Sequence, residues 1–155
     1  MVNRPKAIGT AAETALVRWL RVNGWPHAER RALTGSHDQG DVTGCPGLVW
    51  EAKAGDAADR ASDAQVRAWL TETETERVNA RADIGILVLR RRGKASPGDW
   101  WAVVDASVIA ELMFAMQLER DPVTITGAPV RLLLSDLAPM LRVTGYGIPQ
   151  PLEAS

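Results

Sequence analysis

Apolar and polar positions change period several times along this chain, and each change marks an element. From Arg4 to Val22 the apolar residues Ala12, Leu16, Trp19 and Leu20 recur at helical spacing, which predicts an amphipathic helix stopped by the glycine of "NGW" at Asn23 to Trp25. His27 to Leu33 reads as a short strand, "TGSHDQG" (Thr34 to Gly40) as a loop of turn formers, and Asp41 to Thr43 as a second brief strand. After the turn "GCPG", Leu48 to Ala54 is the clearest strand of the first half. A second helix is predicted from about Ala58 to Ala80, with Val66, Trp69 and Leu70 on its apolar side. "ADIGILVLRRR", Ala82 to Arg92, is a continuous apolar run of the kind buried on both faces. "WWAVVD", Trp100 to Asp105, predicts another strand and Val108 to Leu118 another helix. Beyond Arg120, "VTITGAPVRLLL" predicts two short strands around a Gly-Ala-Pro turn, "SDLAPMLRV" a short helix interrupted at Pro139, and the tail from Tyr146 irregular chain. The order predicts an α/β sandwich around one mixed sheet, in a single domain over residues 1–155 with a core at about 4–118 and a small C-terminal extension at about 119–155.

Composition narrows the chemistry. No apolar stretch reaches a membrane span, and "MVNRPKAIGT" lacks the apolar centre of a signal peptide, so the expected location is cytoplasmic, with no membrane partner. The single cysteine, Cys45, excludes an internal disulfide, and with only His27 and His37 a zinc site of the usual kind is hard to assemble. Any metal is therefore expected to be hard and oxygen-bound. "RRRGKAS" lacks the upstream glycine of a phosphate-binding loop. The net charge of −1, from 18 basic and 19 acidic residues, neither announces nor excludes a nucleic-acid partner, because phosphate contacts are local. The basic clusters are Arg30 with Arg31, Arg18 with Arg21, and Arg90, Arg91, Arg92 and Lys94 at the end of the long apolar strand.

Within the strand Leu48 to Ala54, residues two apart share a face, so Val49, Glu51 and Lys53 point one way and Leu48, Trp50 and Ala52 the other. If the chain folds back at "GCPG", Asp41 comes beside Glu51, with an ammonium one step along. Two adjacent carboxylates repel unless a cation lies between them. Mg²⁺ takes oxygen ligands, acidifies bound water and polarises a phosphoryl oxygen. A Glu-x-Lys pair also occurs on solvated edge strands, and Asp is a favoured turn residue, so a purely structural reading stands beside the functional one. Glu13, four residues after Gly9, has two readings: an acid aimed at the same site, or the partner of Thr10 in a capping box if the helix begins at Ala11. His37 beside Asp38 has no evident catalytic partner and reads as a solvated loop residue. Of the six tryptophans, Trp19, Trp50 and Trp69 read as core, while Trp100 and Trp101 must point opposite ways, leaving one partly exposed.

The pattern Gly9-x-x-x-Glu13, then Asp41, then Glu51-Ala-Lys53 resembles the PD-(D/E)xK nuclease superfamily, and within it the archaeal-type Holliday junction resolvases and their phage relatives. The likeness spans about Ile8 to Leu89, with Gly40 standing where the motif's own form has proline. It implies a restriction-endonuclease-like core (αβββαβ) and metal-dependent hydrolysis of DNA phosphodiesters, with Mg²⁺ (or Mn²⁺) and no small-molecule cofactor. It further implies Asp41, Glu51 and Glu13 at the metal and Lys53 assisting the nucleophilic water. Arg31 and Ser36 match a basic residue and a loop hydroxyl that such resolvases use on DNA, Arg90 to Arg92 and Lys94 are further candidates for phosphate, and Gln65 resembles a helix position near some of these sites. The implied substrate is branched or double-stranded DNA, cut in paired nicks by a homodimer. Two rivals remain: a repair or restriction-type endonuclease of the same fold, and a non-catalytic nucleic-acid-binding or assembly protein.

Overall fold

The computed structural model describes residues 4–32, 38–115 and 127–150. A four-stranded mixed sheet, β3 (Leu48–Lys53), β4 (Ile84–Leu89), β5 (Trp101–Asp105) and β6 (Pro129–Leu133), lies in that order, with β3 and β4 parallel and the other pairs antiparallel. Helices flank it: α1 (Arg4–Val22), the single turn α2 (Asp56–Asp59), α3 (Asp63–Ala80), α4 (Ala106–Ala115) and α5 (Leu134–Val143). The fold is thus mixed α/β, as the order of periodicities predicts. The expectation of one sheet is corrected: β1 (Glu29–Arg30) and β2 (Val42–Thr43) pair antiparallel as a separate two-stranded ribbon.

Alternation along the strands builds two cores. Leu48, Trp50, Ile86, Val88, Ala102 and Val104 turn to one face, where α1, α4 and α5 bury them; Trp25 meets Trp50 edge-on at 5.7 Å. On the other face α3 lays Val66 and Leu70 over Leu87, Leu89 and Val103. Every residue of β4 is buried, as expected for a strand covered on both sides. Glu51 and Lys53 stand in register with Leu87 and Leu89, so their charges share the α3 face of the sheet.

Two helix expectations need correction. The helix predicted over Ala58 to Ala80 is two, because the Ser62 hydroxyl accepts the Gln65 N–H at 3.1 Å and starts α3 afresh. Pro139 does not interrupt α5: burial of Leu134, Leu137 and Leu141, at roughly 2 kcal/mol each, outweighs the roughly 3 kcal/mol that proline costs a helix interior. The first of the two strands predicted within "VTITGAPVRLLL" lies outside the described residues. Among the described residues no helix is long and apolar enough to cross a membrane.

Candidate active site

Asp41 is held against β3 at both backbone and side chain. Its N–H donates to the Trp50 carbonyl at 2.8 Å, its carbonyl accepts the Arg31 N–H at 2.8 Å, and its Oδ2 accepts the Ala52 N–H at 2.8 Å. Gly40 makes this approach possible. It has φ +85°, and a Cβ there would stand 2.7 Å from Val49 Cγ1 and 2.9 Å from the Trp50 carbonyl oxygen. The fold-back expected at "GCPG" therefore occurs, and it sets the Asp41 carboxyl where the Glu51 charge bears on it.

Glu51 is only 7 % exposed, and the Lys53 ammonium donates to its Oε1 at 2.7 Å. Lys53 also faces Glu72 on α3 at 3.8 Å. Burial works against the Lys53 charge, but the bond and charge of Glu51, helped by Glu72 and Asp41, hold the ammonium above its ordinary value. Burial pushes Asp41 up to about 7, with the Glu51 charge adding to it and the Ala52 N–H opposing. Burial likewise raises Glu51 to about 6, against the pull of Lys53.

A third carboxyl belongs to this cluster, and the sequence reading missed it. Glu76, on the same side of α3 as Glu72, is 6 % exposed and faces Glu51; its Oε2 is buried and meets no donor. Burial, then the charge of Asp38, raises it to about 7. The signal was present in the helix period. Extending the stripe of Val66 and Leu70 reaches the buried Thr73 and then Glu76.

Glu13 settles between its two readings. α1 begins at Arg4, so Thr10 is a helix-interior residue whose carbonyl accepts the Thr14 hydroxyl, and there is no capping box. The Glu13 carboxylate reaches the site's edge, where its charge bears on Asp41, but Arg30 grips its Oε2 through Nε at 2.9 Å and Nη2 at 2.5 Å. Arg31 bonds Gln39 Oε1 at 3.2 Å rather than an acid. Asn79 donates to the Asp38 carbonyl at 2.9 Å, tying the approach to Asp41 onto the end of α3.

The basic candidates divide. Arg92 is bound to Asp56 and Asp59, whereas Arg90 and Arg91 lie over the rings of Trp100 and Trp101 at 5.7 and 4.2 Å. Arg90 N–H donates to the Lys53 carbonyl at 2.9 Å, so the arginine turn adjoins the acidic cluster. Arg4 joins Arg90, Arg91 and Arg92 around a groove of about 660 Å³ at the end of β3. Lys94 is exposed. Gln65 is exposed in the first turn of α3 and makes no side-chain bond to the acids. Ser36 and His37 lie outside the described residues.

Among the described residues no three acidic, histidine or cysteine side chains converge closely enough to hold an ion by themselves. The donor set is nonetheless of the kind that suits a hard divalent cation held by two carboxylates, with water and substrate oxygens completing its shell. The half-buried Asp41 and the buried Glu51 supply neighbouring carboxylates whose repulsion a cation relieves, and Glu76 adds an unpartnered oxygen. No protein-family model, no curated protein and no solved structure matches this chain.

Proposed function

We propose that the protein is a metal-dependent endodeoxyribonuclease with a restriction-endonuclease-like PD-(D/E)xK core, and that its substrate is branched DNA, the four-way junction above all, cut by a homodimer. The observation that carries the reading is the juxtaposition of Asp41, Glu51 and Lys53 on one buried sheet edge. A solvated edge strand does not need a 7 % exposed glutamate beside a second, half-buried carboxyl. A bound Mg²⁺ or Mn²⁺ would supply charge neutralisation, phosphoryl polarisation and a more acidic water. Asp41 and Glu51 are the residues to hold it. Lys53, anchored by Glu51, places a fixed positive charge next to both carboxylates, suited to orienting the attacking water and offsetting charge that builds on the phosphate. Glu13, neutralised by Arg30, contributes field at Asp41 rather than a free oxygen. The arginine turn at Arg90 to Arg92 adjoins the Lys53 end of the strand, where the phosphates flanking the cut would lie.

Cleavage of a synthetic four-way junction against plain duplex, with Mg²⁺ and with EDTA, tests this. The expected result is metal-dependent junction cutting that Glu51→Gln or Lys53→Ala lowers by about 100-fold or more, with junction binding retained. Preference for duplex would transfer the reading to a repair or restriction-type enzyme. Full cleavage by both variants would remove the reaction from these residues, and no cleavage of either DNA by the unaltered protein would leave a binding or assembly protein.

A further inference from the structure

Lys53, Leu89 and Trp101 are consecutive register partners across β3, β4 and β5, so Trp101 lies on the same sheet face as the acidic cluster, two strand spacings or about 10 Å from Lys53. Trp101 is only partly buried. The Arg91 guanidinium lies over its ring at 4.2 Å, fixed there by a 2.9 Å bond from Nη1 to the Asp99 carbonyl, and the exposed Arg131 approaches the ring at 5.8 Å. A cavity of about 240 Å³ opens here, floored by Val66, Leu89 and Trp101 and rimmed by Arg90, Arg91 and Arg131, with Asp59 on its wall already paired to Arg92. None of those three arginines has a carboxylate partner among the described residues, whereas neighbouring Arg92 has two.

An apolar, aromatic floor under uncompensated guanidinium groups suits a flat ring carrying a phosphate better than a phosphate alone. We propose that this pocket takes an unpaired nucleotide of the DNA: its base stacks on the Trp101–Arg91 pair, and Arg131 holds its phosphate. The inference rests on the nuclease reading for its context and sharpens the substrate class. The DNA is one whose strand is unpaired close to the cut, as at an opened branch point.

The test is binding of the full-length protein in EDTA, where nothing is cut, to a fluorescent 15-nucleotide oligo-dT and to a blunt duplex, with inorganic phosphate as competitor. Trp101→Ala is expected to weaken oligo-dT about tenfold and the duplex less than twofold, with Trp101→Phe recovering most of the loss. Arg131→Ala, removing an exposed side chain and so sparing the core, is expected to weaken oligo-dT and to lower its salt slope by about 0.7. Unchanged oligo-dT affinity in either alanine variant overturns the proposal, as do equal losses on both DNAs or release of the oligonucleotide by phosphate at comparable concentration. Because binding is read without catalysis, failure here leaves the Glu51 and Lys53 experiment untouched, and failure there leaves this one.

Discussion

Gly40 carries more of the site than its lack of a side chain suggests. A methyl group at this position meets the Trp50 carbonyl, the same oxygen that accepts the Asp41 N–H, in a backbone conformation that other residues rarely adopt. Gly40→Ala is expected to cost about 2 kcal/mol in urea unfolding and to lower cleavage by far more than the lost folded fraction, since it moves Asp41 off β3. Wild-type cleavage in the folded variant would show that the position of Asp41 is not tied to this contact. Asp41, Glu51 and Lys53 were legible in the sequence because strand alternation and a Gly-Pro turn leave few places for them to go. Glu76 was not. In "TETETER" three glutamates alternate with threonines, and only by carrying the Val66 and Leu70 stripe forward through Thr73 is Glu76 singled out from its two neighbours.

At the scale of elements, the sequence marks strands and helices well where burial is one-sided or complete, and poorly where one contact decides. Ser62 looks like one more polar residue in a helix, yet its hydroxyl makes it a cap, separating α2 from α3. Ser62→Ala is expected to lower stability by about 1 kcal/mol while leaving cleavage intact, because Glu76 sits 14 residues further along, about 21 Å by the helical rise. A parallel loss of activity would mean that the start of α3 touches the substrate. Pro139 misleads in the opposite sense. A local rule breaks the helix there, and three buried leucines overrule it. Both strands of the β1–β2 ribbon fall within predicted strands, but their pairing apart from the main sheet had no sequence signal, since they are two residues each and pair across an intervening loop.

Over the whole molecule, Asp41, Glu51 and Glu76 form a reservoir of unfavourable charge. Their values of about 7, 6 and 7 lie above the 3.8 and 4.5 of free carboxyls, so the folded state keeps protons that the unfolded chain has already released. Their contribution to stability is therefore full below about pH 4 and disappears as pH rises through 6 to 7. In EDTA the melting temperature is expected to fall between pH 5 and pH 8. Added Mg²⁺ should restore it at pH 8 and do little at pH 5, where the carboxyls are protonated. A melting temperature that rises over this range without metal would contradict the assignment.

The direction of two strands has one more effect. Because β3 and β4 run side by side with the same heading, both finish at one rim of the sheet, and a hydrogen bond from the Arg90 N–H to the Lys53 carbonyl fastens those finishes together. Residues 37 positions apart in the chain are thus neighbours in space, the proposed cutting edge and the proposed grip mounted on a common bar. Sliding one strand along the other would misalign both at once.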